Sequence, residues 1–217
     1  MRQFLIAIPF LLLACNDNTQ SKQVPSVDTS QTFAQSNIAD TSKNIWINKL
    51  NGRHYSLPDS IGGKPVSFYL DNAKVASIAK ALYRGKFRPT DNDSTTKLLS
   101  YVTTDDSTVR PFYRWCLDFT IQISDGALAE YPGAPALKYA IKFPQEFFDY
   151  MDKDKSGQRY KQWSEIIAYS GLDNYGETAD KIPNLIIVQM NSNCHSYNDS
   201  TKKRIDKFVK HVIGLVD

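Results

Sequence analysis

The segment DSTVRPFYRWCLDFTIQI, residues 106–123, decides the fold class of this 217-residue chain. Asp106 and Ser107 suit the start of a helix, and Pro111 lies in its early turns, where a proline is tolerated. Apolar side chains recur at helical spacing and form one stripe, namely Val109, Phe112, Cys116, Phe119 and Ile123. The segment therefore predicts the strongest amphipathic helix of the chain.

Further helices are predicted on both sides of this segment. A cap at Asp71 and a stop at Gly85 bound the first. The others cover about 94–102, 136–143, 145–151, 160–169, 182–190 and 200–213. In the last, Lys202, Lys203, Lys207 and Lys210 face water, opposite the apolar Ile205, Phe208, Val209 and Val212.

The residues before these helices carry weaker signals. Trp46-Ile47 and 55–57, which follow Asn51-Gly52, indicate a short hairpin or an arm packed on the body. Periodicity leaves residues 66–70 open between strand and helix. We predict a mainly α fold with an extended or short β segment at its amino-terminal side. It is an irregular bundle or an array of short helical hairpins, and the absence of an internal repeat makes the array the weaker option.

The chain begins with a signal-peptide pattern. Arg2 supplies a basic start, and residues 4–13 are apolar but too few to cross a bilayer. The segment closes with Leu12-Leu13-Ala14-Cys15, which resembles the lipobox of bacterial lipoproteins. The resemblance implies removal of residues 1–14 and diacylation of the Cys15 sulfur. Asn16 after the cysteine is similar to an outer-membrane sorting signal.

Polar residues fill the stretch that follows Cys15. Residues 16–44 are almost all Ser, Thr, Asn, Gln, Asp and Lys, which cannot bury enough apolar area to offset chain entropy. We interpret 15–44 as the lipidated cysteine with a disordered tether, which as a coil spans about 30 Å root-mean-square. Residues 45–217 then form one domain.

Charge and export exclude a dedicated nucleic-acid binder. After removal of residues 1–14 the chain has 25 Lys and Arg against 23 Asp and Glu, a net charge of +2. Nucleic-acid binders carry a strongly basic face. The predicted location is the bacterial cell envelope, lipid-anchored, at the outer membrane and facing the periplasm or the cell surface.

Two cysteines remain in the body, in a compartment where disulfides persist. A bridge between Cys116 and Cys194 would close a loop of nearly eighty residues and stabilise the fold by roughly 4 kcal/mol. Alternatively, Cys116 is a small buried residue on its helix and Cys194 lies unpaired in a polar turn.

One loop resembles half of a calcium site. Asp152, Asp154, Ser156 and Gly157 occupy positions one, three, five and six of an EF-hand loop. Position twelve, which should be a bidentate carboxylate, is Trp163. We therefore expect an Asp-rich turn between two helices, no metal and no cofactor.

Catalytic signals are sparse. Asp118, Asp125 and Glu130 lie among aromatic residues, and two of them flanking a groove would suit glycoside hydrolysis. Arg114 and Asp118, however, have the i,i+4 spacing of a helix-surface ion pair.

The histidines give no metal motif. His54, His195 and His211 are scattered, and zinc ligands require a regular spacing. They are interpreted as surface or partly buried residues.

Aromatic residues suggest a binding surface. Most of the 26 aromatic side chains should lie in the core, but Tyr113 and Trp115 lie beside the apolar stripe and Tyr131 lies at a Pro-Gly turn. If exposed, these three rings would contact protein or sugar. The alternative is burial against a neighbouring hairpin.

Three function classes follow. The leading interpretation is a membrane-tethered, non-enzymatic module that binds an envelope or extracellular protein, as an envelope accessory or an immunity-type inhibitor. The alternatives are a cell-wall glycoside hydrolase and a glycan- or solute-binding lipoprotein.

Overall fold

The computed structural model describes residues 57–173, 175, 178, 180–194 and 199–216. Within these residues the chain forms nine α-helices and one two-stranded antiparallel hairpin, so the predicted mainly α fold is confirmed. The helices are α1 (Val66–Leu70), α2 (Ser77–Tyr83), α3 (Asp93–Ser100), α4 (Arg110–Ile123), α5 (Gly133–Lys142), α6 (Pro144–Asp152), α7 (Gln158–Ile166), α8 (Ile182–Ser192) and α9 (Asp199–Ile213).

Helix α4 is the central element of the bundle. Ten of its 14 residues are buried, and it packs against α2, α3 and α7. The predicted apolar stripe faces the core, with Phe112 and Cys116 fully buried and Ile123 partly buried at the end. Burial of a side chain the size of Phe112 contributes about 1.5–3 kcal/mol.

The region before α3 differs from the predicted single helix. Residues 66–70 form α1, and Asp71 follows this helix as its carboxyl-terminal cap instead of starting one. A second short helix, α2, begins only at Ser77 and ends before Gly85. The helix was predicted to begin at Asp71 because Val75, Ile78, Ala79 and Leu82 keep helical spacing, but Val75 lies in the loop before α2.

A tight hairpin precedes α1. Strands β1 (Ser60–Ile61) and β2 (Lys64–Pro65) pair around Gly62-Gly63. Both glycines have positive φ, 59° and 77°, as a two-residue hairpin turn requires. The hairpin or arm predicted from Trp46-Ile47 and 55–57 lies outside the described residues except for Leu57.

Helix α9 closes the bundle with its predicted inward face. Ile205, Phe208, Val209 and Val212 are all buried, and the Phe208 ring lies 4.9 Å from the Phe147 ring of α6. The opposite face is polar. None of the helices in the described part of the chain has the length and apolar character needed to cross a bilayer.

A close backbone approach joins α5 to the segment that follows α7. There the chain adopts a π-helical turn, Ile167–Gly171, which packs against the start of α5. A Cβ placed on Gly133 would lie 2.5 Å from the Gly171 nitrogen and 2.6 Å from the Ile166 carbonyl oxygen. Only a residue without a side chain fits this contact.

We expect Gly133→Ala to lower the free energy of unfolding by at least about 2 kcal/mol, because the backbone atoms around the new methyl group must move apart. Urea unfolding measures this change. Gly214→Ala is the control, since its nearest atom, the Lys210 carbonyl oxygen, lies 3.3 Å from the added Cβ. Equal unfolding midpoints for the two variants would contradict the close contact.

Candidate functional site

An apolar groove of about 510 Å³ lies between α5, α8 and the turn at the end of α3. Its volume is within the range of protein sites for small molecules and for anchoring side chains. We call it the apolar groove, and its lining residues are Thr103, Ala134, Leu137, Lys138, Ile141, Lys142, Gly171, Tyr175 and Gln189.

Polar groups surround the apolar floor of the groove. Lys142 Nζ donates to the Thr103 carbonyl oxygen at 2.9 Å and pairs with Asp105 at 2.8 Å. The Tyr175 hydroxyl donates to Gln189 Oε1 at 2.6 Å. Lys138 is exposed and forms no ion pair with any described residue. The groove therefore offers apolar contact together with one unpaired ammonium group.

The chain builds this groove from four separate segments. Gly171 reaches it because the π-helical turn brings its backbone against Gly133. Tyr175 and Gln189 meet only through the fold, 14 residues apart. Sequence reasoning missed the groove, since no local motif joins these residues. The apolar i,i+4 pair Leu137 and Ile141 on α5 was its only local signal.

Tyr113, Trp115 and Tyr131 do not form one exposed aromatic surface. Tyr113 is 3% exposed, and its hydroxyl accepts from the Ala76 amide at 2.9 Å and donates to the Lys74 carbonyl oxygen at 3.3 Å. Tyr113 is therefore not available as a binding-surface residue, and the alternative of burial applies to it. Those backbone partners belong to the loop before α2, which covers the ring.

The other two rings of that predicted surface are also in contact with the body. Trp115 is partly buried and stacks on Phe112 and Phe119, with ring centroids 5.7 and 5.5 Å away. The half-buried Tyr131 donates its hydroxyl to Asp91. Trp115 also packs on Tyr83 of α2, with ring centroids 5.3 Å apart, so burial against a neighbouring element applies to Trp115, whereas Tyr131 stays partly exposed.

Asp118 is a buried structural acceptor. It is 5% exposed, and its Oδ1 accepts from Trp163 Nε1 at 2.6 Å while its Oδ2 accepts from Gln122 at 3.0 Å. Its ion pair is with Arg159 at 3.7 Å, so the predicted surface pair with Arg114 is wrong. Both carboxylate oxygens of Asp118 accept hydrogen bonds inside the body. Asp118 is therefore not a surface carboxylate that could contact a wall glycan.

Arg114 is buried as well and has a different partner. Its Nη1 donates to the Tyr139 hydroxyl at 2.9 Å, and its guanidinium lies 4.2 Å from the Tyr150 ring. Arg159 lies over the same ring, also at 4.2 Å. Tyr150 is thus held between two cations, an arrangement that the ring quadrupole favours.

The tyrosines of this region stay neutral. Burial raises the pKa of Tyr139 to about 12, against the smaller opposing effect of Arg114. Burial, and then the Asp118 charge, raise the pKa of Tyr150 well above its ordinary value. We call Arg114, Asp118, Tyr150, Arg159 and Trp163 the buried polar cluster. It joins α4, α6 and α7.

Asp125 and Glu130 lie at the surface, around the short 3-10 turn Gly126–Glu130. Asp125 precedes the turn, and its side chain makes no cap hydrogen bond there. The structure therefore separates the three predicted acids, since Asp118 is buried while the other two are exposed.

The calcium look-alike is an Asp-stabilised turn. Asp154 Oδ1 accepts from the Ser156 amide at 3.0 Å, and its Oδ2 accepts from the Arg159 amide at 2.7 Å. These hydrogen bonds hold the pKa of Asp154 at about 2. Asp152 pairs with Arg204 at 2.8 Å. No group of three His, Cys, Asp or Glu residues suited to a metal is present in the described ranges.

Cys116, Cys194 and His211 are the predicted cysteines and histidine that lie among the described residues. Cys116 and Cys194 are free and buried, so the disulfide considered from the sequence is not formed in the structure. Cys116 faces the core from α4, where burial raises the pKa of its thiol. His211 stacks on Tyr160 at 5.6 Å, and His54 and His195 lie outside the described residues.

Comparison with known proteins gives no relative. The chain matches no protein-family model, no curated protein and no solved structure.

We expect Asp118→Ala to lower the free energy of unfolding by about 3–5 kcal/mol, because Arg159 and the Trp163 N–H lose a buried charged acceptor. Urea unfolding followed by tryptophan fluorescence measures the loss. Asp125→Ala removes an exposed carboxylate with no cap hydrogen bond and should stay within about 0.5 kcal/mol of the wild type.

If Asp118→Ala does not fold, Asp118→Asn keeps an acceptor oxygen but loses the charge, and it should fold and unfold at a lower urea concentration than the wild type. A loss below about 1 kcal/mol for Asp118→Ala would contradict the structural role of the buried polar cluster.

Proposed function

We propose that this protein is a lipid-anchored bacterial envelope protein whose helical body binds another protein through the apolar groove. The signal-peptide pattern and Cys15 support the anchor. The apolar groove is the observation that supports protein binding, together with Lys138, which has no ion-pair partner among the described residues. The body would serve as an envelope accessory or as an immunity-type inhibitor.

The polar stretch after Cys15 supports a body that reaches its partner while remaining anchored. A polar stretch of about thirty residues, if it behaves as the coil that its composition predicts, would span roughly 30 Å, enough to hold a small domain clear of the headgroups. A partner on the same membrane would share a thin layer with the body, which raises its local concentration relative to free solution. A groove of modest affinity would then suffice.

The chemistry of the groove defines the partner segment that it fits. Leu137 and Ile141 line its floor and favour an apolar anchoring side chain. Lys138 favours an acidic residue beside that anchor, since charge complementarity at a rim speeds association and selects partners. We therefore propose a partner segment with an apolar anchor flanked by Asp or Glu.

The anchor is tested by metabolic labelling of the full chain in a bacterial host. Radiolabelled palmitate should enter the wild-type protein and be absent from Cys15→Ser, because diacylation requires the sulfur. Cys194→Ser is the control and should remain labelled. Label in Cys15→Ser, or none in the wild type, would overturn the anchor.

The groove is tested by recovery of proteins from envelope extracts with the wild type and with groove variants. Ala134→Phe fills the floor and Lys138→Glu reverses the rim charge, so each should reduce recovery of a specific partner at least tenfold, equivalent to about 1.4 kcal/mol. Ala73→Phe and Lys97→Glu make the same changes at exposed positions away from the groove and should leave recovery unchanged.

Two results would contradict protein binding at the groove. One is a partner recovered equally by all four variants. The other is a glycan or small solute that raises the midpoint of thermal unfolding of the wild type but not of Ala134→Phe, since a ligand that binds only the native state stabilises it. The second result would assign the groove to solute binding.

A further inference from the structure

The positive charge of the chain is concentrated in α9. This helix carries five Lys or Arg residues and two Asp residues, a net charge of +3, which equals the formal net charge of all 217 residues. The rest of the chain is therefore neutral overall. A helix surface that merely keeps a protein soluble would share its charge with the other helices.

Three lysines of α9 form one outward line. Lys203, Lys207 and Lys210 have i, i+4 and i+7 spacing, and all three are exposed. None has an ion-pair partner among the residues that the structure describes, whereas Lys202 pairs with Asp199 at 3.9 Å and the Arg204 guanidinium with Asp152. We call these three residues the lysine ridge.

Exposed apolar residues lie at the carboxyl-terminal end of the same helix. Tyr169, Leu215 and Val216 are 60%, 45% and 59% exposed, and they line one depression of about 340 Å³. We call them the apolar tip. Two acids, Glu165 and Asp173, line the same depression, and Glu165 is paired with Lys161 at 3.8 Å.

We infer that the lysine ridge and the apolar tip form a docking surface for an anionic phospholipid membrane. Lysines attract anionic headgroups, and an aromatic ring with two aliphatic side chains is suited to the headgroup boundary. This inference rests on the proposed anchor, which would keep α9 beside a bilayer.

The charge pattern favours lipid over an acidic protein. A flexible, evenly spaced row of lysines has no fixed geometry to match a folded partner, but it suits a diffuse layer of negative headgroups. Each lysine near such a layer favours binding by about fivefold. Three lysines give a free protein only weak affinity for the membrane. The same affinity is sufficient for a protein that is already tethered to that membrane.

The experiment uses residues 16–217, made without the leader and without Cys15 so that no lipid is attached. The buried core of the described residues runs from Ile61 to Val212, and all of these residues are retained in this chain. Sedimentation is measured with vesicles of phosphatidylcholine alone and of phosphatidylcholine with phosphatidylglycerol. We expect binding only to the vesicles with phosphatidylglycerol, and loss of that binding at 1 M salt, where screening reduces the Debye length to about 3 Å.

Matched triple variants identify the surface. Lys203→Gln, Lys207→Gln and Lys210→Gln together should weaken vesicle binding by about a hundredfold. The control changes Arg84, Lys86 and Lys97 to Gln, which removes the same charge from exposed positions on other elements. This control should retain nearly all of the binding. A further change, Val216→Ser, removes apolar area without adding charge and should weaken binding without altering its salt dependence.

Three outcomes would overturn the inference. The first is equal binding to both kinds of vesicle, and the second is an equal loss of binding in the two triple variants. The third is that the chain binds no vesicles but its lysine ridge retains an acidic protein at low salt. Because the tested chain carries no lipid, these outcomes do not depend on the palmitate result. Failure of the anchor and failure of the docking surface are therefore separate findings.

Discussion

Charged side chains buried inside a helical body must find partners there, and this constraint acts most strongly on α4. Three of its buried residues are charged, Arg110, Arg114 and Asp118. The partners come from different helices. Arg110 forms a two-bond pair with Glu146 of α6, Arg114 donates to Tyr139 of α5, and Asp118 accepts from Trp163 of α7. Since a buried polar group without a partner is costly, these three contacts hold α5, α6 and α7 against α4, although the Arg114 Nε has no hydrogen-bond partner among the described residues.

The apolar face of α4 was predicted correctly from the sequence, whereas the surroundings of its charged residues were not. Apolar spacing is a local property, so the stripe from Val109 to Ile123 could be read directly. The i,i+4 spacing of Arg114 and Asp118 is equally local and indicated a surface ion pair. What decided the outcome was the presence of Tyr150 and Trp163, which reach these charges from distant parts of the chain. The burial of Tyr113 was not decided by the sequence for the same reason, since Lys74 and Ala76 cover it.

The apolar groove could not be predicted because its geometry depends on an irregular backbone. A π-helical turn inserts extra chain at the end of α7 without any periodic signal, and such turns are common at functional sites. Gly133 and Gly171 allow the close approach, but a glycine in a sequence gives no indication of which segment will come near it. In contrast, the turn at Asp154 was predictable, because Asp and Ser bond to the backbone within a few residues.

The two proposed surfaces differ in the kind of contact that they can make. Helix α8 packs against both α5, which lines the apolar groove, and α9, which carries the lysine ridge. If α9 contacts lipid, the residues that line the apolar groove remain free to bind a partner, because none of them belongs to α9. Lysines on flexible stems accept any anionic surface, so they can hold the body near the bilayer without selecting a partner. Selection requires a shaped apolar site with few polar groups, which the groove provides.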